Sequence, residues 1–268
     1  MLSLLDPSAR LVIAHRGNSM HAPEDTMESF RQGLALGADG LEFDVRLSAD
    51  GVAVLMHDPL LDRTTDGTGP VAAHTLAQLR YLDAGYRFTR DGGRTYPWRG
   101  RGIRIATLEE VLTAFPDTPC IAELKTPKAA DAFSRAVDGH GARHRLLVGS
   151  FSDEAHAQIS GRGFHITASA PDVKRLYWRA LTLRGAGPVT YQACSIPPSW
   201  KRMPVPILHF ARMLRQQGIP THCWTVNDPR VARRLWDGGI NAMLSDDPGT
   251  LLEVLGRRPG VIPAAESR

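Results

Sequence analysis

Cysteine is scarce in this chain. Cys120, Cys194 and Cys223 are the only three in 268 residues, and none lies in a CxxC pair. That excludes a disulfide framework or a zinc knuckle, so all three read as reduced core residues. No stretch approaches the roughly 20 consecutive apolar residues of a membrane span. The first residues, Met1 to Pro7, offer no basic segment followed by a long apolar one, so no signal peptide is expected. The expected compartment is the cytoplasm, with peripheral contact to an anionic membrane left open. Neither sign of charge dominates: 32 Lys and Arg against 28 Asp and Glu leave +4, too mild to imply a nucleic-acid partner. No Gly-rich dinucleotide or phosphate-loop fingerprint follows any candidate strand. Internal repeats and low-complexity stretches are missing too.

What is present is a repeated strand-then-helix order. Candidate strands span 11–15, 40–46, 53–57, 119–124, 145–150, 165–169, 189–194, 220–226 and 241–245. Helical patterns lie at Leu108 to Phe115, Asp153 to Ser160, Leu208 to Gln217 and Pro229 to Trp236. A first helix is expected from a capping box of Asp25 and Glu28, with Met27, Phe30 and Leu34 on one face and Gly37 closing it. This order over 268 residues predicts an α/β fold with a TIM-like barrel rather than a doubly wound sheet. Nine strands is one too many for eightfold closure. The link 47–52 is too short for a helical crossover, and Asp50-Gly51 reads as a hairpin turn. We therefore expect one irregular barrel domain over 1–268, with an insertion after the third strand at about 58–107.

The chemistry concentrates at strand ends. Glu42 and Asp44, two apart on a strand, share a face opposite Leu41, Phe43 and Val45. Glu123 and Lys125 repeat the device. Three carboxylates converging in a barrel mouth repel unless a cation sits among them, and an all-oxygen set favours Mg²⁺ or Ca²⁺. The competing reading is a structural ion-pair network with Arg16 and Lys125. His15 and His57 each end a candidate strand beside these acids, where barrel active sites lie. One could deprotonate a nucleophile and the other protonate a leaving oxygen. The remaining histidines read as ordinary satisfied residues. Arg16 and Lys125 describe a pocket for an anion, most naturally a phosphate.

These residues sit in a set of motifs. Ile13-Ala14-His15-Arg16-Gly17, Pro23-Glu24-Asp25-Thr26, Ser29-Phe30 and Gly37-Ala38-Asp39-Gly40-Leu41-Glu42-Phe43-Asp44-Val45 come first. His57-Asp58, Arg63-Thr64-Thr65-Asp66-Gly67-Thr68-Gly69, Glu123-Leu124-Lys125, Ser150-Phe151 and Trp224-Thr225-Val226-Asn227 follow in order. Together they resemble the glycerophosphodiester phosphodiesterase family from about residue 11 to residue 248. The resemblance implies an irregular (β/α)8 barrel with a small insertion. It implies that Glu42, Asp44 and Glu123 bind one divalent cation, that His15 and His57 are the acid–base pair, and that Arg16, Lys125 and Trp224 bind substrate. It further implies hydrolysis of glycerophosphodiesters to glycerol 3-phosphate and an alcohol, with the neighbouring glycerol hydroxyl as internal nucleophile. Three departures bear on subfamily: Asp25 where Asn is common, Ser48-Ala49-Asp50-Gly51 without the usual Thr, and Leu244-Ser245-Asp246-Asp247-Pro248 in place of a Thr-Asp pair.

Two basic segments stand apart from the motifs. Segment 85–104 carries six arginines, one aspartate and four aromatics, and reads as a lid or as a solvated loop. Segment 173–215 has eight Lys or Arg and no acid. Within it, 195–203 offers Ile196, Trp200 and Met203 with Lys201 and Arg202 for contact with an anionic membrane. The alternatives to a soluble-substrate enzyme are a lysophospholipase D-like enzyme and a non-catalytic membrane- or nucleic-acid-binding relative. A barrel amidohydrolase is disfavoured, because the first strand lacks a His-x-His pair.

Overall fold

The computed structural model describes residues 2–262 apart from Leu183, Lys201 and Arg202, with the backbone alone at Trp200 and Met203. Its strands are β1 (Leu11–His15), β2 (Gly40–Leu47), β3 (Ala53–Leu55), β4 (Cys120–Leu124), β5 (Leu146–Gly149), β6 (His165–Ile166), β7 (Cys194–Ile196), β8 (Ser199–Trp200), β9 (Met203–Pro204), β10 (Thr221–Cys223) and β11 (Ala242–Ser245). Eight of them pair in parallel in the order β6-β5-β4-β2-β1-β11-β10-β7. A single parallel bridge between Thr167 and Ala193 joins the two ends of that series. The expected irregularity lies where the short 47–52 link required it. β3 runs antiparallel to β2, with Val45 opposite Leu55, and Gly51 turns the hairpin at φ +80°.

The helices are α1 (Met27–Leu36), α2 (Leu76–Leu79), α3 (Leu108–Ala114), α4 (Ala130–Gly139), α5 (Asp153–Ser160), α6 (Ala170–Leu181), α7 (Ile207–Arg215), α8 (Pro229–Asp237) and α9 (Pro248–Val254). Helix α1 is capped by Thr26, not Asp25: the Thr26 side chain accepts from Ser29 N–H. Asp25 instead takes a left-handed conformation, φ +55°, that reverses the chain just before the helix. Gly37 closes α1 at φ +101° as expected. Helices α2, α4, α6 and α9 were not foreseen. In α6 the reason is plain: Leu176 and Ala180 face the core, but Tyr177, Trp178 and Leu181 are exposed and blur the helical period. The expected strand at 189–194 is mostly irregular chain, and β7 begins only at Cys194.

Strand parity places the site. In β1, Leu11 and Ile13 pack with Ile121, Leu147, Ala242 and Leu244 inside the barrel, and Leu4 closes its floor. Val12 and Ala14, like Leu41, Phe43, Val45, Ala122 and Leu124, pack outward under the helices. His15, Glu42, Asp44 and Glu123 therefore carry on the inward face, above the apolar floor, at the C-terminal ends of their strands.

The segment after β3 builds a small apolar cluster of its own, including Leu61, Val71, Leu79, Ala84 and Ile105. Its Arg-rich part is exposed yet held in place. Trp98 Nε1 donates to His21 O at 3.0 Å, and the Arg99 guanidinium lies 4.0 and 3.8 Å from the ring centres of Tyr86 and Tyr96. No helix among the described residues is long and apolar enough to cross a membrane.

Candidate active site

Glu42, Asp44 and Glu123 can each offer an oxygen such that the three lie within 4.8 Å of one another. β2 pairs with β4 so that Asp44 lies beside Glu123, and with β1 so that Glu42 lies beside His15. Two cations approach the same acids. Arg16 Nε is 2.9 Å from Asp44 Oδ2; Lys125 Nζ is 3.0 Å from Asp44 Oδ1 and 2.6 Å from Glu123 Oε1. The angles leave both buried Asp44 oxygens and Arg16 Nε without a hydrogen bond. Buried carboxylate oxygens left without hydrogen bonds are costly, so the acids, though not the Arg16 donor, suit an additional cation.

The electrostatics agree. Burial, and then the charge of Asp44, push the Glu42 carboxyl well above the usual range. Burial likewise raises Glu123 and, together with Asp44, raises Asp25. Asp44 differs: burial pushes it up, but Lys125 and Arg16 outweigh that and hold it low. Asp25 Oδ1 accepts from Asp44 N–H at 3.3 Å, and its Oδ2 is buried with no partner. A divalent ion among these oxygens would relieve the repulsion that raises Glu42 and Glu123.

The two histidines flank the acids, and each is fixed through Nδ1. His15 Nδ1 donates to Asp246 Oδ1 at 2.7 Å, leaving Nε2 3.8 Å from Glu42 Oε2. Asp246 also accepts from Ser19 Oγ at 2.9 Å and Asn227 Nδ2 at 2.8 Å. Burial would raise Asp246, but its bond to His15 holds the carboxyl down at about 2. His57 lies two residues beyond β3, not within it; its Nδ1 donates to Asp58 Oδ1 at 2.6 Å. Burial, helped by Arg16, keeps the His57 imidazole below its ordinary proton affinity. Asp58 is held at about 2: burial opposes this, but hydrogen bonds from Arg63 and His57 prevail.

Arg16 sits at φ +54°, and its N–H reaches both the backbone oxygen of Glu42 (3.0 Å) and its Oε2 (3.1 Å). Gly17 follows at φ +86°, where a side chain would collide with Ser29, so the turn after β1 is tightly specified. Trp224 follows β10, with its ring edge-on to Phe151, the centres 5.2 Å apart. Phe151 is 48% exposed.

A model of the glycerophosphoryl diester phosphodiesterase family matches residues 15–250 of this chain. The chain belongs to that family. It is 30% identical over 252 residues to a glycerophosphodiester phosphodiesterase of Caldanaerobacter subterraneus subsp. tengcongensis, covering 91% of this chain and 97% of the relative. It is also 30% identical over 264 residues to a glycerophosphodiester phosphodiesterase of Bacillus subtilis, covering 92% and 86%. Among solved structures, a phosphodiesterase of Oleispira antarctica in complex with the product sn-glycerol-3-phosphate superposes with a TM-score of 0.74 at 26% identity, over 92% of this chain and 97% of that one.

The eight site residues named from sequence all stand at the open end of this family barrel. The sequence reading gave no role to five residues that complete the arrangement: Glu24, Asp58, Arg63, Asn227 and Asp246. Four of them lie in the motifs quoted above, and Asp246 lies in the segment read as a departure. Only the contacts reveal what they do. On the proposed membrane segment, Ile196 is buried and therefore cannot rest against lipid. Lys201 and Arg202, and the side chains of Trp200 and Met203, lie outside the described residues.

Proposed function

We propose that this chain hydrolyses glycerophosphodiesters to glycerol 3-phosphate and an alcohol, with His15 and His57 as its acid–base pair. We further propose that Glu42, Asp44 and Glu123 hold one divalent cation, Mg²⁺ or Ca²⁺. The observation that carries this reading is two imidazoles, each anchored through Nδ1 to a carboxylate, on either side of three converging acids. The Oleispira relative bound to sn-glycerol-3-phosphate supports the substrate class.

The roles follow from how each imidazole is held, with Nδ1 engaged by a carboxylate and Nε2 left for the substrate. His57 has its proton affinity lowered, so near neutral pH its Nε2 is free to take a proton from the attacking hydroxyl. His15 gives its Nε2 proton to the leaving alcohol oxygen. When water then opens the phosphate intermediate, the two exchange roles. Arg16 and Lys125 hold the phosphoryl oxygens and balance the charge that builds on them. A bound cation would add Lewis-acid stabilisation of that charge. Trp224 and Phe151 form an aromatic wall for the apolar part of the substrate. We take the chain as one cytoplasmic barrel domain carrying the 58–107 insertion.

A lysophospholipid substrate is the second reading, favoured by the exposed face of α6. Trp178 is 59% and Leu181 58% exposed there, beside Tyr177 and the exposed Lys174, a mixture suited to an anionic membrane surface. The test is product analysis on a panel of glycerophosphodiesters and vesicle-borne lysophospholipids, run with Mg²⁺, with Ca²⁺ and after chelation. Glycerol 3-phosphate should appear only with metal. Full activity in a demonstrably metal-free sample refutes the cation site. Unchanged lipid hydrolysis and vesicle binding in Trp178→Ser refutes a membrane role for α6.

A further inference from the structure

Arg63 lies in the insertion, outside the acid cluster, and reaches two parts of the site at once. Its Nε donates to Asp58 Oδ2 at 2.5 Å. Its Nη1 and Nη2 fork onto the two oxygens of Glu24, both at 2.7 Å. Each acceptor has a second partner inside the site. Asp58 Oδ1 accepts a hydrogen bond from His57 Nδ1 at 2.6 Å, and Glu24 Oε1 accepts one from Arg16 Nη1 at 3.1 Å. One guanidinium thus ties the anchor of the proposed base to the anchor of the proposed phosphate-binding arginine.

Resting on the reading above, we propose that Arg63 is a positioning residue that fixes His57 and Arg16 relative to one another, so that phosphate binding and proton transfer share one geometry. It acts through Asp58 and Glu24 and makes no contact with the acid cluster itself. The planar fork explains why arginine serves here. Three N–H vectors must meet three oxygens of two different carboxylates in one plane, which an ammonium cannot reproduce. The side chain is 47% exposed. An isolated ion pair so open to water would contribute little to stability, which makes a purely structural role a poor account of so complete a set of bonds. The linkage also crosses chain segments. Glu24 belongs to the loop after β1, whereas Asp58 and Arg63 belong to the segment after β3. The insertion is therefore connected to the site through this residue.

The test separates the two arms by steady-state kinetics on a soluble glycerophosphodiester at saturating metal. Glu24→Gln loosens Arg16, which holds the phosphoryl group before and during reaction, and should raise KM several-fold with a smaller fall in kcat. Asp58→Asn loosens His57 and should lower kcat about tenfold with little change in KM, the scale of a modest misplacement of a reacting group. Arg63→Gln should do both while melting within a few degrees of wild type, and adding either carboxylate change to it should cost little more. Arg63→Lys, which keeps the charge, should recover at most one arm. Arg63→Gln with wild-type kcat and KM overturns the proposal. Full rescue of both parameters by Arg63→Lys also overturns it, because charge alone would then suffice. A wild-type protein that releases no glycerol 3-phosphate overturns the functional reading itself. Active wild type with a silent Arg63→Gln overturns the positioning role alone.

Discussion

Asp246→Asn is a near-isosteric change at a group bonded to His15, Ser19 and Asn227. Its Oδ1 accepts from His15 Nδ1 at 2.7 Å and Ser19 Oγ at 2.9 Å, and its Oδ2 accepts from Asn227 Nδ2 at 2.8 Å. An amide cannot accept on both sides. Turned one way, its NH₂ opposes the Asn227 NH₂; turned the other, it faces His15 Nδ1–H and pushes the ring out of place, and either way the carboxylate that balances a ring protonated on both nitrogens is gone. Either outcome should lower kcat by about 10²-fold with a smaller change in KM. The stability cost is bounded by linkage. Burial opposes ionisation, but the bond from His15 prevails and holds the carboxyl at about 2 against an ordinary 3.8. A carboxyl lowered in the fold stabilises it fully above pH 3.8, and that contribution vanishes as pH falls through 2. At neutral pH it amounts to about 2 kcal/mol. Urea unfolding at pH 7 should therefore show a loss of that order, and the variant should lose less stability than wild type between pH 4 and 2. The kinetics are read as glycerol 3-phosphate release from a soluble diester. A folded Asp246→Asn protein with kcat within threefold of wild type refutes the view that this carboxylate sets the orientation of His15.

His15→Ala and His57→Ala should each lower kcat by about 10² or more with the fold intact by circular dichroism; near-normal turnover of either variant removes that imidazole from the chemistry. His222 gives a separate prediction about stability. It is buried under the barrel with Nε2 2.9 Å from Leu4 O, and burial pushes its pKa down to about 4. The unfolded chain takes up that proton near 6.5, so the unfolded state gains protons over the fold between pH 6.5 and 4, and stability falls there by about 3 kcal/mol as the pH drops. Denaturant unfolding should show this fall as the difference between wild type and His222→Gln, because the raised carboxyls of Glu42, Glu123 and Asp25 slope the other way in both; parallel profiles in that window rule out a neutral His222.

Much of the site was legible because strand parity is a strong constraint. Once 11–15, 40–46 and 119–124 are strands, the alternation of Leu41, Phe43 and Val45 with Glu42 and Asp44 fixes which groups face the lumen. The residues that orient those groups were not legible as such. Asp246 serves His15 from 231 residues away, and no spacing rule links them. Arg63 is five residues from Asp58, but its bond to Glu24 spans 39. The cap of α1 misled for a local reason: Asp25 and Glu28 have capping-box spacing, but Thr26 does the capping and Asp25 turns inward to the backbone of Asp44. Helix α6 was hidden because three apolar residues point outward, so its periodicity did not separate core from surface.

The ring of strands is unevenly sewn. β2 and β4 share five register pairs, whereas β6 and β7 meet through the one bridge at Thr167 and Ala193. Counting around the barrel, that seam lies diametrically opposite the β1–β2 junction that carries His15 and Glu42. With so few pairs, that seam is where local opening of the barrel is expected, on the wall opposite His15 and Glu42. Amide protons near residues 165–167 and 192–194 should exchange with solvent far sooner than those of β2 and β4, through local opening that spares the rest of the sheet. On this pairing the catalytic wall is expected to be the stiff stave of the barrel and the opposite wall the compliant one, so that local opening would spare the few atoms that must stay in register.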